Sequence, residues 1–267
     1  MTPARWWWRL LRTSVIFAAV VFLSAMIGAR FLAERMLYYP DVASRRLVDG
    51  TRKITDDTGN EIAVVHLPSP PARFTIWFFH GNAEALGDIE PFLRMLHQAG
   101  YGVVAFDYPG YGVSSGKPSE SALNTAARAV RHHLRDELKV PANRTLILGR
   151  SLGGGPAVQM ATEERVAGLI LQSTFTSVFR VMTRWRLLPS DLFESERKLP
   201  RVGCPVLVMH GQRDAVIPFH HGLALFAAAS EPKRSLFVEN AGHNDFLIAA
   251  DAAFWRALRE FSELAAK

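Results

Sequence analysis

The tightest constraint on how this chain folds is the run Thr145-Leu146-Ile147-Leu148 leading straight into Gly149-Arg150-Ser151-Leu152-Gly153, with Ala157-Val158-Gln159-Met160-Ala161 just beyond. A short, continuously apolar run fits a strand covered on both faces, and the alanine-rich run fits a helix. Joining the two through one serine demands a sharp turn. Backbone in such a turn adopts conformations that are costly for residues carrying a Cβ, and strand and helix come too close for large side chains at Gly149 and Gly153. G-x-S-x-G in this strand–turn–helix setting reads as a nucleophile elbow, with the Ser151 hydroxyl lifted off the sheet edge.

A serine hydroxyl is a poor nucleophile at neutral pH. It needs a histidine to take its proton and a carboxylate to hold that histidine in the right tautomer. The apolar run Pro205–Met209 leads into His210-Gly211-Gln212-Arg213-Asp214, and Ser235–Val238 leads into Glu239-Asn240-Ala241-Gly242-His243-Asn244-Asp245. Asp214 and His243 therefore follow Ser151 in the expected order, each beyond a strand end, where open parallel sheets carry their functional loops. Asp214 could equally cap the helix after Pro218. Asp245 competes as the acid, but it lies two residues from His243 and would need tight local geometry to reach Nδ1.

An oxyanion requires two backbone N–H groups. Leu152, after the serine, supplies one. The other is assigned to Asn82, with Ala83 as its neighbouring candidate, in the loop His80-Gly81-Asn82-Ala83-Glu84 that follows the apolar run Phe74–Phe79. His80 itself reads as structural. His132-His133 and His220-His221 are adjacent pairs whose members face different sides of any helix, and no zinc spacing is present, so neither a metal nor a cofactor is expected.

His80-Gly81-Asn82-Ala83, Asp107-Tyr108-Pro109-Gly110-Tyr111-Gly112-Val113-Ser114, Gly149–Gly153 and Gly242-His243-Asn244-Asp245 resemble the motifs of an α/β-hydrolase over about Arg52 to the C-terminus. The branch they resemble includes membrane-associated lysophospholipid hydrolases and protein depalmitoylases. The resemblance implies a triad of Ser151, Asp214 and His243, with the loop Asp107–Ser114 flanking the oxyanion hole. It leaves the substrate open.

The remaining sequence fits that scaffold. Thr51 to Pro68 reads as a hairpin around Asp56-Asp57-Thr58-Gly59-Asn60. Strands Phe74–Phe79 and Tyr101–Phe106 then alternate with helices Ile89–Gln98 and Ser119–Leu138, Ser119 being the cap of the second. Such alternation implies an α/β-hydrolase fold with a mostly parallel, doubly wound sheet of about eight strands in one catalytic domain, residues 51–267. The rhythm breaks at about 173–202, where a short cap insertion is expected. Phe179 and Trp185 of that cap, with Tyr111, are the candidates for lining a substrate pocket, although the same segment fits an amphipathic helix packed on the domain.

Residues 1–12 form a basic and aromatic flank with Arg5, Arg9, Arg12 and Trp6-Trp7-Trp8, and residues 13–33 read as a transmembrane signal anchor. Thr13 to Ala29 carries no charge, and at about 1.5 Å per residue those seventeen positions span roughly 25 Å. Leu10, Leu11, Phe31 and Leu32 must contribute to reach the ~30 Å hydrocarbon core. Bulky residues occupy the critical positions of Leu23-Ser24-Ala25 and Ile27-Gly28-Ala29, which argues against a cleaved signal peptide. Positive charge is greater before the segment than after it. The expected topology is a single pass with a cytoplasmic N-terminus and the catalytic domain on the other side, periplasmic in a bacterium.

Residues 34–50 are then a linker. Four of the six net positive charges lie in residues 1–35, so the basic balance reports the flank and anchor. No basic stripe or phosphate-cradling glycine loop argues for nucleic acid or nucleotide. The single cysteine, Cys204, excludes an intramolecular disulfide and reads as a small buried residue before its strand. The expected activity is cleavage of carboxylic ester or thioester bonds of small-molecule or lipid acyl substrates. A serine peptidase or amidase on the same triad, and a catalytically silent binding protein, are the alternatives. Oligomeric state is not constrained.

Overall fold

The computed structural model describes residues 3–183 and 191–267. Its centre is an eight-stranded sheet. The strands are β1 (Arg52–Thr55), β2 (Glu61–Leu67), β3 (Thr75–Phe79), β4 (Gly102–Phe106), β5 (Thr145–Arg150), β6 (Gly168–Gln172), β7 (Val206–Gly211) and β8 (Lys233–Val238). Their spatial order is β1-β2-β4-β3-β5-β6-β7-β8. The β1–β2 hairpin is antiparallel and joins β4 antiparallel, while every pairing from β4 to β8 is parallel.

Both faces are covered, because alternate residues of each apolar strand point opposite ways. Trp77, Phe79, Ile147, Leu169 and Val208 pack on one side, among residues of α3 (Glu120–Asp136), α4 (Gly154–Glu163) and α7 (His220–Ala228). Ile76, Phe78, Leu148, Ile170 and Met209 pack on the other, among residues of α2 (Leu86–Gln98), α8 (Phe246–Ala250) and α9 (Ala252–Ala265). Ser119 caps α3 as expected, its Oγ accepting from Ala122 N–H at 3.0 Å. Cys204 is buried just before β7, and burial pushes its thiol up to about 12.

Helix α2 starts at Leu86, three residues before the expected Ile89. Pro91 lies inside it and has no N–H for the Gly87 carbonyl. The Arg46 guanidinium donates to that oxygen instead and pairs with Glu90 at 2.7 Å. Asp88 Oδ2 accepts from Ala85 N–H and Ser44 N–H, both at 2.9 Å, so the expected linker is strapped along the start of α2. Tyr38, Ala43 and Val48 are buried by it.

Helix α1 (Pro3–Leu37) is exposed along its apolar length, and its Trp6–Leu37 span is long and apolar enough to cross a membrane. Among the described residues, its last turns carry the hydrogen bonds and ion pair to the domain. Arg30 Nη2 lies 3.3 Å from Glu120 Oε2, and Glu34 Oε1 accepts the Glu120 N–H at 2.9 Å, placing a carboxylate at the positive end of α3. The segment after β6 holds α5 (Val178–Thr183) and α6 (Ser195–Lys198), which pack on the α4 and α7 side.

Candidate active site

Loops leaving β3, β5, β7 and β8 meet at the C-terminal edge of the sheet. Ser151 opens a 3-10 turn (Ser151–Gly153) before α4 and stands in the left-handed region at φ +52. That conformation costs a non-glycine residue roughly 1–3 kcal/mol and persists only where neighbours hold it. A Cβ on Gly149 would lie 2.7 Å from Ala157 Cβ, and one on Gly153 would lie 2.6 Å from the His80 carbonyl oxygen. Glycine is what lets α4 and the β3 loop close on the serine. Thr174 Oγ1 then pins the turn by donating to the Ser151 carbonyl at 2.6 Å.

Ser151 Oγ lies 3.0 Å from His243 Nε2, and His243 Nδ1 lies 2.7 Å from Asp214 Oδ2. The carboxylate accepts the Nδ1–H, which leaves Nε2 as the acceptor for the serine hydroxyl. Asp214 is fully buried at its side chain and satisfies both oxygens, as a buried charge must. Its Oδ1 accepts the Val216 and Ile217 N–H groups at 2.9 and 2.7 Å. Turn formation and histidine support thus use different oxygens of one carboxylate. Asp245 is occupied locally, accepting the Gly242 N–H at 2.6 Å.

His210 lies behind Asp214. Its Nε2 donates to the Ile217 carbonyl at 2.8 Å and is 3.5 Å from Asp214 Oδ2, and burial lowers its pKa. His80 is fully buried and stacks on Tyr108 at 3.9 Å, and burial pushes it down to about 4. Asp107 Oδ1 accepts the Leu86 N–H at 2.7 Å, tying the Asp107–Ser114 loop to the start of α2, while burial pushes the carboxyl up to about 7.

A cleft of about 430 Å³ opens beside Ser151, lined by Gly81, Asn82, Glu84, Arg150, Gln172, Val216, His243, Asn244, Phe246 and Leu247. One side is polar. Arg150 Nη2 reaches Glu84 Oε2 at 2.5 Å, and the same oxygen accepts the Gly81 N–H at 2.9 Å. The guanidinium also lies over Phe78 and Phe92, 5.6 and 5.7 Å from the ring centroids. Gln172, beside Arg150 in the β5–β6 ladder, is buried with its Oε1 unbonded among the described residues. Val216, Phe246 and Leu247 form the apolar side.

Asn82 lines the cleft and Leu152 follows Ser151, both where an oxyanion donor is expected. Among the described residues nothing accepts the Asn82 N–H. Tyr111 stands elsewhere than the sequence predicts. It is fully buried behind the β3 loop, its hydroxyl donating to Asn82 Oδ1 at 2.6 Å, because a buried phenol must place its O–H. Phe179 is on α5, its N–H bonded to Asp191 Oδ1 at 3.0 Å, and does not line this cleft. Trp185 lies outside the described residues.

Glu84, Arg150, Gln172 and the wall from Val216, Phe246 and Leu247 went unread in the sequence. One signal for them was present: Arg150 and Gln172 end adjacent apolar strands, where parallel pairing sets their side chains on the same face.

The family described as Serine aminopeptidase, S33 matches residues 70–195. The alpha/beta hydrolase domain-containing protein aho-3 of Caenorhabditis elegans is 39% identical over 205 residues, covering 74% of this chain and 60% of that protein. Human alpha/beta hydrolase domain-containing protein 17B is 38% identical over 191 residues, covering 70% of this chain and 66% of that one. The chain thus spans somewhat under two thirds of these relatives. Among solved structures, the Pyrococcus furiosus esterase Pf2001 superposes with a TM-score of 0.68 at 17% identity, covering 80% of this chain and 91% of the other. A Paleococcus ferrophilus monoacylglycerol lipase gives 0.61 at 20% identity, covering 77% and 99%. At these identities the two structures speak to the fold alone.

Proposed function

Since this chain belongs to the α/β-hydrolase superfamily, we propose that it is a membrane-anchored serine hydrolase cleaving carboxylic ester or thioester bonds of lipid or acylated substrates. The observation that carries this reading is the hydrogen-bonded row Ser151 Oγ, His243, Asp214 opening on a cleft. Ser151 Oγ attacks the acyl carbon while His243 Nε2 takes its proton. Asp214 holds the imidazolium through Nδ1–H, and the developing oxyanion is received by the Leu152 and Asn82 N–H groups. His243 then passes the proton to the leaving oxygen or sulfur. Water, deprotonated by the same histidine, releases the acyl group and restores the serine.

The apolar wall of Val216, Phe246 and Leu247 favours an acyl chain, and exposed α1 favours a bilayer nearby. In this reading residues 13–33 span the membrane and residues 51–267 form the catalytic domain on the non-cytoplasmic side. The family description raises an aminopeptidase reading, which needs a carboxylate to receive a substrate amine. Glu84 is the one carboxylate lining the cleft among the described residues, and Arg150 already neutralises it. Ester cleavage is therefore preferred.

Purified full-length protein in detergent, assayed on p-nitrophenyl esters of graded chain length, an acyl thioester and an aminoacyl p-nitroanilide, tests the choice. Esters and thioesters should turn over with a preference for longer acyl chains. Faster cleavage of the anilide would replace this reading with a peptidase.

A further inference from the structure

We infer that the segment leaving α1, Leu37 to Tyr39, together with Tyr111, is a positioning strut for the oxyanion loop, so that the anchor helix is part of the active-site scaffold. This rests on the hydrolase reading above.

The loop His80–Glu84 has no regular structure of its own, and Ala83 within it is left-handed at φ +57. Something outside must hold it. Glu84 does so at one end through Arg150 and the Gly81 N–H. At Asn82 the holding group is its own carboxamide, whose oxygen accepts the Ala83 N–H at 3.1 Å within the loop and whose two ends both reach the chain that emerges from α1. Asn82 Nδ2 donates at 2.5 Å to the carbonyl of Leu37, one of the C-terminal carbonyls for which a helix has no internal partner. Asn82 Oδ1 accepts the Tyr39 N–H at 3.1 Å and the Tyr111 hydroxyl at 2.6 Å. The Tyr111 oxygen in turn accepts the Tyr39 N–H at 3.1 Å, closing a triangle.

That triangle is stiff on the helix side as well. Tyr38 is buried, Pro40 restricts the backbone of Tyr39, and Arg30 and Glu34 fasten the last turns of α1 to Glu120. Movement of the end of α1 therefore drags the Asn82 side chain. A purely structural amide would stop there. Here the same residue lines the cleft, and among the described residues its backbone N–H has no acceptor; an oxyanion donor works only when fixed in advance.

Tyr111→Phe removes the hydroxyl and keeps the ring, and Asn82→Ala keeps the backbone N–H and removes the carboxamide. In full-length protein, with rates normalised to titrated active sites, each should lower kcat on a p-nitrophenyl ester by about tenfold. KM should stay within about twofold. Affinity for an alkyl boronic acid, which forms a tetrahedral adduct on the serine, should fall in step with kcat, a change that mere loss of folded protein does not produce. Both variants retaining wild-type kcat and boronate affinity per active site would overturn the strut while leaving the hydrolase reading standing. A folded wild type that neither turns over esters nor binds the boronate would overturn both.

Discussion

Asp214 is the residue whose two tasks can be pulled apart. Asp214→Asn keeps an oxygen for the Val216 and Ile217 N–H groups, but offers His243 Nδ1 an amide and so favours the wrong tautomer. We expect kcat to fall about 10³–10⁴-fold while the thermal midpoint moves little, read by steady-state kinetics and a melt of the same preparation. Asp245→Asn, which keeps an oxygen for the Gly242 N–H and removes only the charge, should leave kcat within about threefold of wild type. A reversal of the two effects would transfer the acid role to Asp245. The meeting of Ser151, Asp214 and His243 was legible because each lies in a loop just beyond an apolar strand, and those loops gather at one edge of a parallel sheet. The Glu84–Arg150 pair was not legible, since its members lie 66 residues apart and meet only once β3 and β5 are side by side. Tyr111 misled for a related reason: an aromatic in a loop reads as a substrate contact until the fold reveals which buried acceptor takes its hydroxyl.

At the scale of elements, the sheet was readable from alternation alone, and the departures lie where distant chain supplies a missing partner. Pro91 argues for a later start of α2, yet Arg46, 41 residues upstream, covers the Gly87 carbonyl that the proline leaves free. Arg46→Ala should therefore destabilise the protein by roughly 1–3 kcal/mol, measured as a lower urea midpoint. An unchanged midpoint would mean that water serves the carbonyl equally well. The elbow is less forgiving. Gly153→Ala places a methyl against the Phe79 and His80 carbonyls, so α4 must move away from β3. A loss of about 2–4 kcal/mol is expected, with labelling of Ser151 lost in whatever protein remains folded. Full activity in this variant would show that the close approach of α4 to the β3 loop is dispensable.

For the whole molecule, acid stability follows from buried imidazoles. Burial pushes His80 and His221 down to about 4 from an ordinary 6.5, so both are neutral in the fold and take up protons more readily when unfolded. Their stabilisation is complete above pH 6.5 and is lost as pH falls towards 4, on the order of 3 kcal/mol each. Asp107, pushed up to about 7 from 3.8, acts oppositely, since its ionised form is disfavoured in the fold and acidification relieves that penalty. His210, lowered by burial as well, acts in the same direction as His80 and His221, and together the histidines outweigh Asp107, leaving a net decline visible as a falling urea midpoint from pH 7 to 4.5. His221→Gln should flatten that slope, and an unchanged slope would remove His221 from the account.

The exposed apolar length of α1 predicts that the chain stays in the membrane fraction through high-salt and carbonate washes and leaves it only with detergent. Release by salt would reduce the anchor to a surface contact.

In the proposed mechanism a single serine, lifted by the elbow and served by His243, makes the covalent bond to the acyl group. Treating the folded protein with an alkyl fluorophosphonate and locating the adduct by peptide mass spectrometry identifies the nucleophile. One adduct on Ser151, absent from His243→Ala under the same conditions, is the expected result. A folded wild type that stays unlabelled, or carries the adduct on another residue, would contradict the account.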